Sequence, residues 1–283
     1  QDHAHYYFPE YLDDDEGRVL LAAIARREED LALALELLDE AVAREPTPGA
    51  AWRLVAEIRA ATGDRDGAAA AYRQATERDP EDLRGLLAFG DLQLGVFLDT
   101  GGRVAQDDAV RAYTAAERVC RRRLEAGPDP LARLGLAKAL AGLTRAARDR
   151  TVADATQALE SIVADAGDVP GPTLVLADLQ RGFGDLGAAR QTLDGALRRW
   201  DTPAVRIALH GLLVEQGEAA DARAVLERGV EVHAGAVELR LALAAYHAGR
   251  DAHDEAAALL ATAAAAFPDD PRVHEAQGDV ARA

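Results

Sequence analysis

A 34-residue echo runs along this chain and limits its fold more than any other feature. Pro46 and Pro80 are 34 apart, as are Ala34 and Ala68, Leu38 and Tyr72, and Ala41 and Ala75. Between Gly49 and Asp82 a whole unit is legible. Trp52, Val55 and Ala56 share one helical face, and Thr62-Gly63-Asp64 interrupts the helix. A second helix carries Ala68, Tyr72 and Ala75 and stops at Asp79-Pro80. Glycine permits positive φ and proline removes an N–H, so both end helices. Composition agrees: apolar residues make up 49% but aromatics only 5%, methionine is absent and alanine dominates. Such an alanine-rich apolar fraction suits closely packed helices better than sheets.

These units resemble the tetratricopeptide repeat: a first helix, a Gly-Asp turn, a second helix with small-aromatic-small spacing, and a closing proline. Glu16 to Thr47 fits with Leu21, Ala34, Leu38, Ala41 and Pro46. Pro170 to Thr202 fits with Leu176, Ala177, Gly184-Asp185, Ala189, Leu193 and Ala196. Pro203 to Gly235 fits with Leu209, Gly217, Ala222, Leu226 and Gly229. Ala236 to Asp270 fits with Leu243, Ala244, Gly249, Ala256, Leu260, Ala263 and Pro268. From Pro271 to Ala283 a single polar helix reads as a solvating cap. The resemblance implies an all-α, right-handed α-solenoid of about seven helical hairpins plus that capping helix. It covers residues 15–283 as one array, preceded by an arm over residues 1–14.

By the same resemblance, first helices line a concave groove. The lining set is Val19, Arg53, Leu87, Asp91, Leu136, Leu174, Asp178, Ile207, Val214 and Leu241. The Lys/Asn/Arg set with which some family members clamp a peptide carboxylate is missing. A mostly aliphatic groove needs an occupant or tight closure, since large exposed apolar patches are rare on monomers.

The middle, about residues 83–169, departs from the period. After Leu86, Phe89 and Gly90, the second-helix pattern Ala109, Tyr113, Ala116 arrives about seven residues late, past Asp99-Thr100-Gly101-Gly102. After Leu131, Leu134 and Gly135, the pattern Ala155, Leu159, Ile162 comes about eight residues late. Leu94, Val96, Leu98, Leu140 and Leu143 continue the apolar pattern, so Leu86–Leu98 and Leu131–Ala147 are expected to be lengthened first helices. Insertions in repeat arrays often mark a contact face.

Charge is unevenly placed. The net charge is 32 − 49 = −17, which argues against nucleic acid or an anionic membrane as the main partner. Gln1 to Gly17 holds six acids, no Lys or Arg, and the aromatics Tyr6, Tyr7, Phe8 and Tyr11. Disordered segments are typically poor in aromatics, so this arm is expected to be ordered and docked on protein. Between Arg118 and Arg150 nine bases (Arg118, Arg121, Arg122, Arg123, Arg133, Lys138, Arg145, Arg148, Arg150) face three acids, giving +6. That basic patch is the expected partner of an acidic segment.

Catalytic chemistry is not visible. There is no glycine-rich phosphate loop after a strand and no His pair at zincin spacing. His247 and His253 flank a turn, while His210 and His233 fall near packing positions. Cys120 is the only cysteine, among Ala116, Val119 and Leu124, which reads as a small buried hydrophobe. No apolar run reaches the ~18 residues needed to span a bilayer. The expectation is a non-catalytic protein-interaction scaffold without cofactor or metal, binding a protein or peptide. The alternative is a subunit of a homopolymer whose N-terminal arm docks on a neighbouring copy. The chain starts at Gln1, not Met. An exported location is favoured if that terminus is processed, and a cytoplasmic one otherwise.

Overall fold

The computed structural model describes residues 31–42, 49–146, 152–165 and 169–282. The arm aromatics Tyr6, Tyr7, Phe8 and Tyr11, together with Val19, Arg148 and Arg150, lie outside the described residues. Among the described residues the chain is all-α and contains no strand. In order the helices are α1 Leu31–Val42, α2 Gly49–Ala61, α3 Arg65–Arg78, α4 Leu83–Thr100, α5 Arg103–Ala126, α6 Pro130–Ala146 and α7 Val152–Asp165. They continue as α8 Gly171–Gly182, α9 Leu186–Arg199, α10 Pro203–Glu215, α11 Ala219–Val232, α12 Val237–Ala248, α13 His253–Ala266 and α14 Pro271–Arg282. Two compact units divide the chain, Gln1–Ala155 and Thr156–Ala283.

Within each unit the packing is that of an α-solenoid. Each hairpin pairs a first helix with the second helix that follows: α2 with α3, α4 with α5, α8 with α9, α10 with α11, α12 with α13. Successive first helices also touch, α4 with α6 in the first unit, and α8 with α10, α10 with α12 and α12 with α14 in the second. First helices therefore share one side of each stack.

The turns show why the Gly-Asp motif recurs. Gly63, Gly184 and Gly217 have φ of 86°, 83° and 77°. Each falls at the sharp bend between first and second helix. Asp64 and Asp185 then cap α3 and α9, accepting from Gly67 N and Ala188 N at 2.9 Å. In the last hairpin the bend falls on Asp251, the only described non-glycine residue at positive φ (59°). A side chain there is strained by contact with its own carbonyl. Asp251→Gly is expected to stabilise the second unit by about 0.5 kcal/mol, read as a raised urea midpoint. A lowered midpoint would show that the aspartate bears no strain there.

The two irregular units resolve into long helices. First helices α2, α8, α10 and α12 have 13, 12, 13 and 12 residues, whereas α4 has 18 and α6 has 17. The expected lengthening of both is present over the described residues, and Ala147, the expected last residue of the second, lies outside them. The sequence pattern did not indicate that the second helix grows too. α5 runs for 24 residues, starting directly after Gly101 (φ 68°) and Gly102.

The terminal helix α14 buries Val273 against Val237 and Ala263. α12 presents Leu241, Ala244 and Ala248 to α13. One 34-residue period on, the same positions of α14 are Glu275, Gly278 and Arg282. That face is polar and solvated.

Candidate functional site

In the first unit, α4, α5 and α6 meet around Tyr113, which is 1% exposed. Its ring lies between two glycines. A Cβ at Gly90 of α4 would come within 2.7 Å of the ring, and one at Gly142 of α6 closer still. Only hydrogen fits at both positions. The Tyr113 hydroxyl donates to Asp91 Oδ1 at 2.6 Å. Burial beside the Asp91 carboxylate pushes the phenol far above its ordinary range, so it stays a donor.

Above this floor lies a cleft of about 580 Å³ between α4 and α6. Leu83, Leu87, Ala88, Leu131, Leu134 and Gly135 form its apolar walls, and Glu81, Asp82, Arg84, Asp91, Arg123 and Lys138 its polar ones. Most of these charges are already matched. Asp82 holds Arg53 at 2.7 Å, Arg84 holds Glu57 at 3.0 Å, Arg122 holds Glu81 at 2.6 Å and Arg123 holds Asp129 at 2.6 Å. Lys138 has no carboxylate partner among the described residues and is exposed. Leu131 on the cleft wall is 69% exposed.

The second unit carries a comparable cleft of about 670 Å³ between α8 and α10. Leu174, Asp178 and Ile207 line it with Ala204, Arg181 and His210. Arg181 bonds Asp178 at 3.1 Å, and His210 Nδ1 sits 3.0 Å from the Ala222 carbonyl.

The groove positions read from the sequence are thus sorted. Leu87 and Asp91 share one cleft; Leu174, Asp178 and Ile207 share the other. Val214 is 40% exposed on α10, and Leu241 packs in the α12/α13 core. Arg53 serves structure, since Glu57 at 2.9 Å and Asp82 engage it. Leu136 is 6% exposed and belongs to the core. Leu131 and Leu134 were legible as apolar repeat positions; that they line the cleft emerges only once α4 and α6 are side by side.

The basic patch is not one surface. The sum of +6 counted neighbours in sequence and left out Glu117, one residue before the stretch, and Glu81, from the turn before α4. Arg121 pairs with Glu117 at 2.8 Å, Arg122 with Glu81, and Arg123 with Asp129. Arg145 has a partner as well. Arg118 lines a different cleft, against α3, and Arg133 is half-buried. What remains at the α4/α6 cleft is Lys138, the single lysine of the chain.

Two further clusters are structural. Asp108, 2% exposed, accepts from Arg73 at 2.7 Å, from Arg111 and from Gln93. Arg206, 6% exposed, makes two bonds to Asp201 (2.6 and 2.8 Å) and one to the Val225 carbonyl (3.0 Å). His233 Nε2 lies 3.1 Å from Asp201. Hydrogen bonding from Arg206 holds the Asp201 carboxyl down to about 2. Cys120 is buried, and burial pushes its thiol up to about 11, as suits a core residue. Among the described residues no three His, Cys, Asp or Glu side chains gather as a metal site. No described helix is long and apolar enough to cross a membrane.

Comparison with known proteins bears on this architecture. A protein named cellulose synthase 1 operon protein C, from Komagataeibacter xylinus, is 36% identical over 144 residues, covering 46% of this chain and 11% of its own length. The chain thus spans about a tenth of that relative. A thermophilic tetratricopeptide-repeat protein of Thermus thermophilus superposes with a TM-score of 0.51 at 19% identity, over 71% of this chain and 100% of its own. A tetratricopeptide-repeat protein of Parabacteroides merdae does so with 0.51 at 15% identity, over 94% and 98%. These structures share the fold. Two family profiles, each describing the tetratricopeptide repeat, match residues 19–92 and 213–280. Together these matches span half of the chain, and the chain belongs to the tetratricopeptide-repeat family.

Proposed function

We propose that this protein is a non-catalytic interaction scaffold that takes a protein segment on the first-helix side of its repeats. Proteins of this family are generally protein-interaction scaffolds and typically not enzymes. The observation that carries the reading is the α4/α6 cleft. It is apolar on both walls, has an exposed leucine at its rim, and keeps one cation and one anion for a ligand. Concave, mostly apolar sites with a few polar groups are what recognition requires. The net charge of −17 disfavours nucleic acid as the partner. The relative belongs by name to a cellulose synthase operon. Products of such an operon are where a partner would first be sought.

The test is selection of peptides from a random displayed library on the full chain. Selected peptides are expected to bind Leu131→Asp at least about tenfold more weakly, since a carboxylate replaces an apolar contact. The exposure of Leu131 leaves folding intact. Peptides that bind the variant equally well, or no enrichment at all, would remove the reading.

A further inference from the structure

We propose that the α4/α6 cleft receives the segment Gln1–Glu16 of a second copy of this chain. This rests on the cleft being an interaction site, and it names the occupant.

The chemistry of the two parts matches. After internal pairing the cleft offers leucine walls, the unpaired ammonium of Lys138, and Asp91, whose Oδ1 is held by Tyr113. Its best ligand carries bulky apolar groups, a carboxylate for Lys138 and a hydroxyl for the remaining oxygen of Asp91. Residues 1–16 supply three tyrosines, one phenylalanine and six acids without Lys or Arg. Tyrosine rings suit Leu87, Leu131 and Leu134, and their hydroxyls can donate to Asp91. Other clefts fit less well. In the α8/α10 cleft the one arginine is taken by Asp178. In the α3/α5 cleft Arg73 and Arg111 are both taken by Asp108; Arg118 and Glu77 remain there, but at about 310 Å³ that cleft is roughly half the size.

Chain order favours a neighbouring copy, and the isotope-mixing test below separates it from docking within one chain. The segment precedes α1, which packs on α2, and the α2/α3 hairpin stands between α1 and the α4–α6 group. A segment at one place docking on a cleft at another is a heterologous contact, which extends along a line of copies unless it closes.

Lys138 makes the test specific. As the only lysine, it is the only side-chain amine that a carbodiimide can join to a carboxylate. Full-length chains, half of them labelled with nitrogen-15, are mixed, cross-linked and digested. The expected product joins Lys138 to an acid within residues 2–16, with about half of the pairs mixed in label if docking is statistical. Pairs of one label only would show the chain docking on itself and overturn the second copy. No such pair, at concentrations where the chain is otherwise intact, would overturn the occupant. Sedimentation gives a second readout. Association is expected to weaken at least tenfold in Lys138→Glu and in Leu131→Asp, and in high salt, but not in Leu98→Asp at the exposed tip of α4. Equal weakening in all three variants, or a monomer throughout, would also overturn it. Library peptides that need Leu131 would leave the scaffold reading standing even then.

Discussion

Tyr113→Ala is expected to lower the stability of the first unit by about 4 kcal/mol, the range for losing a buried aromatic side chain. Three helices converge on that ring: α5 carries it, while Gly90 and Gly142 bring α4 and α6 against its faces. Removing it leaves a cavity that two glycines cannot fill. Tyr113→Phe keeps the ring and loses only the bond to Asp91, for about 1 kcal/mol. Gly142→Ala provides the decisive comparison. In the native background its Cβ collides with the ring, and overpacking of this kind costs about 1–3 kcal/mol. In the Tyr113→Ala background the collision is gone, and alanine gains about 1 kcal/mol of helix propensity over glycine. The two changes therefore couple with opposite sign. Urea unfolding of the four proteins measures this. Additive losses would show that ring and glycines do not pack as described.

The second unit has its largest expected loss at Asp201→Ala. Arg206 is almost fully buried, and without Asp201 its guanidinium keeps only the Val225 carbonyl. Stranding a buried charge costs about 3–5 kcal/mol. Because Asp201 is partly open to solvent, about 3 kcal/mol is expected. Arg206→Met, which removes the charge and keeps the aliphatic stem, should cost less. The pH dependence has a definite sign. Asp201 titrates at about 2 in the folded chain, below the ordinary carboxyl value of about 3.9. Its contribution is full above about pH 4 and is lost as pH falls towards 2. The stability gap between native protein and Asp201→Ala should accordingly shrink between pH 5 and pH 2.5. A gap that is constant over that interval would remove the ion pair as its cause.

Homopolymer formation through the arm, if the cross-linking bears it out, would place both halves of a contact in one gene product. The deleted cation at Lys138 would then separate assembly from folding, since the residue is exposed and has no partner among the described residues.

Local chemistry in the sequence determined most of the fold. The 34-residue period, the Gly-Asp turns and the prolines specify helices and bends by steric rules that act over a few residues. Even the lengthened α4 and α6 were legible, because apolar residues such as Leu94 and Leu143 keep a helical period where a loop would break it. The length of α5 was less so, since its first turn adds only Ala105 to the stripe of Ala109, Ala112 and Ala116, directly after Gly101-Gly102, and the helix packs on both α4 and α6. What the tertiary structure decided is how charge and surface combine. Nine bases close in sequence read as a patch, yet Glu81, from the hairpin before, neutralises Arg122, and Arg118 turns into the α3/α5 cleft. Arg53 and Leu136 fall at groove positions by spacing, yet one is absorbed by ion pairs and the other by the core. Helix and turn signals are local, whereas burial and ion pairing depend on residues a whole repeat away, which meet only when hairpins stack.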